Sequence, residues 1–261
     1  MTVTYDYRGR VVLVTGGTKG IGAGIARAFL RAGAEVVVCA RRTPQAAPSV
    51  ELDFERREAV FVPCDVCDPD DVARLIETVR ERYGRLDVVI NNAGGSPYAM
   101  AAEAPPKLHR RIIDLNLLAP LHVAQAAHGL MDEGAIIMIG SVSGTRPSPG
   151  TAAYGAAKAG LHHLAACLAV EWAPRIRVNT LVVGLADSGE DLAGHYGGEQ
   201  ALKEIQGTIP GGRMAVPDDV ARACLYLASE PYVTGGTLSV DGGGEQAAWQ
   251  YIVQQHTRER G

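Results

Sequence analysis

The sequence predicts an α/β fold, a single doubly wound parallel sheet of about seven strands flanked by helices on both faces. Three observations carry that reading. Short apolar runs rich in β-branched residues recur along the 261 residues at lengths that suit buried strands. Stretches with helical spacing of apolar positions separate the early runs, as a parallel sheet requires, since parallel neighbours need a long crossover. A glycine-rich turn joins the first run to the first helix and completes a βαβ unit. No second domain and no fixed-period repeat is visible, so residues 1–261 read as one domain.

Residues 10–15, RVVLVT, form the first strand, and the turn Gly16, Gly17, Thr18, Lys19, Gly20, Ile21, Gly22 follows. A helical pattern over 23–32 is closed by Gly33, which suits the position beyond a helix end, and 34–40 is the second strand. In this setting backbone N–H groups at the helix start can face a phosphate, although a purely structural turn has the same composition. The second strand ends at Ala40, followed by Arg41 and Arg42. A carboxylate there would grip a ribose 2′-hydroxyl, whereas guanidinium groups hold a 2′-phosphate. With Lys19 as a further cation, the local charge favours NADP(H) over NAD; the competing reading is a solvated arginine pair.

From 43 to 58 two prolines, Pro44 and Pro48, disfavour a helix, and a loop or short distorted turn is expected. A third strand spans 59–63, and Asp65 and Val66 follow its C-terminal end, where open parallel sheets bind ligands. A helix over 70–83 leads to a fourth strand at 86–90 and to Asn91, Asn92, Ala93 and Gly94, small enough for close approach of backbone to ligand. The pattern over 105–131 predicts one long helix with Asn116 inside it. Pro120, four residues on, has no N–H to offer the Asn116 carbonyl, leaving it to hold a water or to mark a simple kink.

The fifth strand, 135–140, runs into Ser141. The next helix, 151–173, carries Tyr154 and Lys158 four residues apart and hence on one face. A free phenol has a pKa of about 10, and a neighbouring ammonium would lower it, making Tyr154 a general acid/base beside a strand-end hydroxyl. The spacing alone is weak, because a chain with nine tyrosines reaches it by chance and a tyrosine stacked on a lysine stem looks the same. His162 and His163 read as surface or subunit-interface residues. Strands at 175–183 and 237–240 complete the sheet.

Composition narrows the function classes. A net charge of −4 without a basic run argues against nucleic acid, and no stretch is long and apolar enough for a membrane span. The N-terminus shows no signal-like apolar region, which with five cysteines in mostly apolar segments suggests a cytoplasmic protein with reduced thiols. Cys64 and Cys67 have no second Cys/His pair to complete a zinc site, so no metal is expected.

Taken in order, TGGTKGIG, NNAG, Asn116, Ser141, Tyr154-x-x-x-Lys158 and the Asp241-Gly-Gly ending resemble the short-chain dehydrogenase/reductase family over about residues 8–243. The segment GSVSG…AAYGAAKAGL is most similar to its 3-oxoacyl-carrier-protein reductase branch. The resemblance implies a Rossmann-type fold and an NADP(H)-dependent oxidoreductase acting on a carbonyl or secondary alcohol. It implies that Tyr154 passes the proton, Lys158 holds the nicotinamide ribose, Ser141 orients the substrate oxygen and Asn116 anchors a water. It sets Asp65 and Val66 near the adenine, Asn92, Ala93 and Gly94 along the cofactor, and Gly184, Ala186 and Ser188 at its nicotinamide end. A homo-oligomer, tetramer or dimer, is the matching expectation.

The sequence also departs from the family. Val183-Gly184 stands where Pro-Gly is usual, Ser188 replaces a common threonine, and the helix after the second strand is shortened or absent. Residues 184–212 suggest a mobile substrate lid whose His195 and Tyr196 specify no ligand. Residues 245–261 form an extension with Trp249, Tyr251, Ile252 and Val253, either packed on a neighbouring subunit or frayed. Acyl thioester, steroid, sugar and xenobiotic ketone all fit as substrates. An NAD-dependent alcohol or steroid dehydrogenase and a non-catalytic dinucleotide sensor on the same fold are the alternatives.

Overall fold

A computed structural model describes residues 4–52, 55–189, 197–245, 247 and 250–251. Seven strands join in one parallel sheet: β1 (Val11–Thr15), β2 (Glu35–Ala40), β5 (Val60–Pro63), β6 (Val88–Asn91), β7 (Gly134–Ser141), β8 (Ile176–Val183) and β9 (Thr237–Val240). Their order across the sheet is β5-β2-β1-β6-β7-β8-β9. The chain builds outward from β1 and then crosses back to β6, so the winding reverses between β1 and β6. That reversal opens the crevice in which doubly wound sheets bind ligands.

The strands are apolar on both sides because both faces are covered. Val11, Leu13, Val37, Val89, Ile136 and Met138 turn to one face, against α2 (Pro69–Tyr83), α4 (Ala119–His128) and α5 (Ala152–Trp172). Val12, Val14, Val36, Ile90, Ile137 and Leu181 turn to the other, against α1 (Gly20–Arg31) and α7 (Pro217–Ser229). This is the period-two alternation of a strand used twice over. Helix α2 starts where Asp68 accepts from the Asp70 N–H, with Pro69 in its first turn, and stops at Gly84, which takes φ +68.

Four segments differ from expectation. The loop expected over 43–58 contains an antiparallel hairpin, β3 (Ser49–Leu52) with β4 (Glu55–Glu58). Both prolines lie outside it; Val50 is buried, and Arg57 reaches Glu35 on β2 at 3.0 Å. The single helix expected over 105–131 runs unbroken through α3 (Pro106–Ile113) and α4, but with one wide turn between them, Asp114–Leu118, after which the Ala119 N–H reaches back to the Asp114 carbonyl. Pro120 cannot donate, and the chain takes up the missing bond by widening one turn.

Two helices, α6 (Glu199–Thr208) and α7, were not foreseen. The α7 signal was present: Pro217 in the first turn, Asp219 accepting from the Val216 N–H, then Val220, Ala221, Cys224 and Leu225 on one face. The described residues of the C-terminal extension also make contacts within their own chain. Glu245 pairs with Arg146 at 2.5 Å, and Tyr251 lies against Gly207 of α6. Trp249, Ile252, Val253, His195 and Tyr196 lie outside the described residues.

Helices α1 and α7 cross at Gly24, where a Cβ would fall 2.4 Å from the Pro217 Cβ. Gly24→Val is expected to lower stability by about 1–3 kcal/mol through overpacking; an unchanged urea midpoint would contradict the close crossing.

Candidate active site

The crevice is fastened by the end of β1. The Thr15 hydroxyl accepts from the Asn92 and Ala93 N–H groups, both at 3.0 Å, and the Asn92 side chain donates to the Thr15 and Gly16 carbonyls at 2.9 and 3.2 Å. Asn91 donates to the Pro120 carbonyl at 3.1 Å, tying the same loop to α4. The sequence had pointed to Asn92, Ala93 and Gly94, but Thr15 and Asn91 hold them. A hydroxyl at a strand end before a glycine turn was the only visible signal.

At Gly16, Gly17 and Gly22 the turn has no room for a side chain. Gly16 takes φ +61, and a Cβ on Gly22 would lie 2.3 Å from the Gly16 carbonyl. Helix α1 begins at Gly20 with no carboxylate in its first turn and no side-chain cap, so its N-terminal end suits an anion. Thr18, Lys19 and Ile21 complete the turn, and Ser188 stands over it, 3.3 Å from where a Gly20 Cβ would be. A dinucleotide's phosphates therefore fit the cradle.

At the other end, pairing of β2 with β5 sets Ala40 beside Pro63 and bonds the Cys64 N–H to the Ala40 carbonyl at 3.1 Å. Arg41 and Arg42, both exposed, follow β2 at this end of the sheet, and Asp65 follows β5 there, its carboxylate accepting from the Cys67 N–H at 3.1 Å. The Val66 side chain belongs to the core rather than the crevice.

The residues expected to transfer the proton meet over β7. Asn116 is fully buried; its side chain accepts from the Gly95 N–H and donates to the Gly95 carbonyl, each at 2.9 Å. Lys158, also buried, donates to the Ile139 carbonyl at 2.8 Å and lies 5.6 Å from the centre of the Tyr154 ring. A Cβ on Gly94 would fall 2.7 Å from the Asn116 Oδ1 and 3.3 Å from the Lys158 Nζ. Glycine is needed there for the three to converge. Ser141 starts the turn Val142–Gly144 by accepting from the Ser143 N–H at 3.2 Å.

The electrostatics depart from the simple expectation that Lys158 acidifies Tyr154. Burial raises the phenol's pKa above its ordinary value, and the nearby Ser141 hydroxyl pulls the other way. Burial also lowers the Lys158 ammonium from 10.5 to about 8. At neutral pH the site thus holds a protonated phenol and an ammonium.

The two adjacent histidines of α5 differ in setting. His163 is exposed, but His162 is half-buried beneath Ser141, and its Nε2 accepts from the Ser141 N–H at 3.4 Å. The Val183-Gly184 departure has a structural outcome as well: Val183 pairs with Ser141, continuing the β7–β8 ladder to its end, and Gly184 permits Asp241 to approach, a Cβ there falling 2.7 Å from the Asp241 Cα. Ala186 bridges to Ala215, anchoring the segment that carries Ser188. A cavity of about 370 Å³ lined by Ser143, Arg146, Ser148 and Gly155 opens beside the site; neither Ser141 nor Tyr154 lines it. Among the described residues no cluster of His, Cys, Asp or Glu could hold a metal ion, and no helix is long and apolar enough to cross a membrane.

The chain is similar to known proteins over most of its length. Residues 16–245 match a family model described as enoyl-(acyl carrier protein) reductase. The chain is 35% identical over 255 residues to the sorbose reductase of Schizosaccharomyces pombe, covering 93% of this chain and 98% of that protein. It is equally, 35%, identical over 243 residues to the 3-oxoacyl-[acyl-carrier-protein] reductase of Synechocystis sp., covering 90% and 96%. The ligand-free aldohexose dehydrogenase of Thermoplasma acidophilum aligns with a TM-score of 0.80 at 29% identity, over 90% of this chain and 94% of that one.

The buried ammonium is directly measurable. In an NMR titration of labelled lysines, the resonance lost in Lys158→Met is expected to titrate near pH 8, the charge being present below and lost above. A midpoint near 10.5 would show an ammonium that burial does not perturb.

Proposed function

The chain belongs to the short-chain dehydrogenase/reductase family of nicotinamide-dinucleotide oxidoreductases, and on that premise we propose an NADP(H)-dependent enzyme acting on a carbonyl or secondary alcohol. The observation that carries the reading is the convergence of Tyr154, Lys158, Asn116 and Ser141 over the end of β7, beside the glycine cradle. When bound, the dinucleotide supplies hydride exchange at the substrate carbon.

Tyr154 acts as the general acid in the reducing direction. A phenol kept protonated by burial is ready to give its proton to a carbonyl oxygen as negative charge develops there. Ser141 steadies that oxygen, and its hydroxyl also stabilises the phenolate left behind. Lys158, charged below about pH 8, favours the same phenolate from beneath the ring. Asn116 fixes Gly95 and so the wall beside Gly94. In the oxidising direction Tyr154 must first lose a proton, so reduction is favoured at neutral pH.

NADP(H) is favoured over NAD by charge: Arg41 and Arg42 stand exposed where an NAD binder would place a carboxylate, and the position itself is Ala40. We further propose a homo-oligomer, dimer or tetramer, to cover Val170 on α5, which is 81% exposed, and Leu118 at the head of α4, and a cytoplasmic location to match the free cysteines. Relatives named for a sugar and for an acyl thioester stand at the same identity, so both classes belong in the substrate panel.

Two measurements test this. Tyr154→Phe is expected to lose turnover by roughly 100- to 10,000-fold while still binding NADPH; retained turnover, or a wild-type chain that binds the dinucleotide but reduces nothing, would favour a non-catalytic sensor. Arg41→Ala is expected to weaken NADPH by about tenfold, the order of one surface charge-assisted contact, and to leave NADH nearly unchanged. Equal weakening of both would remove the charge argument.

A further inference from the structure

Strand β7 outruns its neighbour. The last β6–β7 pair is Asn91 with Met138, whereas β7 continues to Ser141. In β8 the even-numbered residues turn to β9, as the Thr180 N–H to Gly236 and the Gly184 N–H to Val240 show, so its odd residues face β7. The parallel register then points Gly140 at β8, and Ile139 and Ser141 toward the side that β6 has vacated. A continuing β6 would have supplied one residue to bond both the Ile139 carbonyl and the Ser141 N–H.

Two side chains of α5 take that place. The Lys158 Nζ donates to the Ile139 carbonyl at 2.8 Å, and the His162 Nε2 accepts from the Ser141 N–H at 3.4 Å. Tyr154, Lys158 and His162 follow one another at i, i+4 and i+8, on one helical face. The imidazole fits because the residues flanking it are glycines: a Cβ on Gly140 would lie 2.4 Å from its Nε2, and one on Gly144 2.7 Å from its Cε1.

We propose that His162 is a positioning residue of the reaction, its neutral imidazole replacing the missing strand so that Ser141 is held at the substrate oxygen. The proposal rests on the oxidoreductase reading above. Accepting through Nε2 requires the proton on Nδ1. Protonation of Nε2 would set donor against donor and release Ser141. Burial lowers the pKa of His162 below its ordinary 6.5, and the Lys158 charge adds to the effect. The groups facing it from β7, β8 and the Val142–Gly144 turn are Gly140, Ser141, Thr180 and Gly144, none of which titrates. The accepting form therefore holds at neutral pH and is lost as pH falls through that lowered value.

The test pairs spectroscopy with kinetics on the full chain. In ¹⁵N-histidine NMR, the resonance that disappears in His162→Gln is expected to show the Nδ1–H tautomer and a midpoint below 6.5. His162→Leu is expected to reduce kcat on the order of 10- to 100-fold, as a displaced reacting group does, with the NADPH dissociation constant within about twofold of wild type. His162→Gln, which can still accept but cannot titrate, is expected to recover most of that loss and to flatten the acid limb of the kcat profile. An Nε2–H tautomer overturns the proposal, as does a leucine variant with wild-type kcat, or a glutamine variant as slow as leucine. If His162→Leu does not fold, the tautomer and the glutamine pH profile decide. A wild type that reduces no carbonyl sinks the functional reading and the catalytic part of this one together, while the tautomer still reports the imidazole–amide bond.

Discussion

The unequal lengths of two adjacent strands govern the site. Where β6 stops at Asn91, the rising edge of β7 is left with main-chain groups that must be satisfied in a largely buried place. Helix α5 meets that need with side chains instead of backbone. The same three turns of helix that carry the phenol therefore also complete the sheet. On the opposite side the β7–β8 ladder runs through Gly140 up to the Ser141–Val183 register pair, so the strand end that carries the hydroxyl is anchored on both flanks.

Burial does most of the electrostatic work here. Taking Lys158 and Tyr154 out of water disfavours the charged form of each, lowering the ammonium and raising the phenol. The i,i+4 spacing reveals that the two are neighbours, but neighbouring charge is only one influence on a pKa, and desolvation is invisible in a spacing. The Ser141 hydroxyl counters the burial of Tyr154, which joins the strand end and the helix in one titrating unit.

Close approach is the second recurring device. Gly16 and Gly22 bring the first turn against Asn92, Gly94 admits the Lys158 ammonium to Asn116, and Gly140 with Gly144 admits the His162 ring. In each case a methyl group would fall inside contact distance of an amide, ammonium or imidazole ring that the site uses. The hydroxyl and amides of Thr15, Asn91 and Asn92 then lock the strand ends whose positions those glycines allow.

The sheet was legible in the chain because its central strands, β1, β6 and β7, are short apolar runs, and burial on both faces marks nearly every residue of them. The glycine turn, the Asn-Asn-Ala-Gly loop and the Tyr154/Lys158 pair were legible too, being short patterns whose meaning lies within a few residues. The β3–β4 hairpin was not, since β4 is wholly charged and carries no apolar alternation, nor was α7, although Pro217 and Asp219 mark its start. The roles of Thr15 and His162 were out of reach for a different reason. A hydroxyl or an imidazole has no fixed duty in a sequence; it acquires one from the main-chain group placed opposite, and here that group belongs to a residue 77 positions away for Thr15 and 21 for His162. Local pattern determined which elements form, and only their packing decided which backbone atoms lacked a partner.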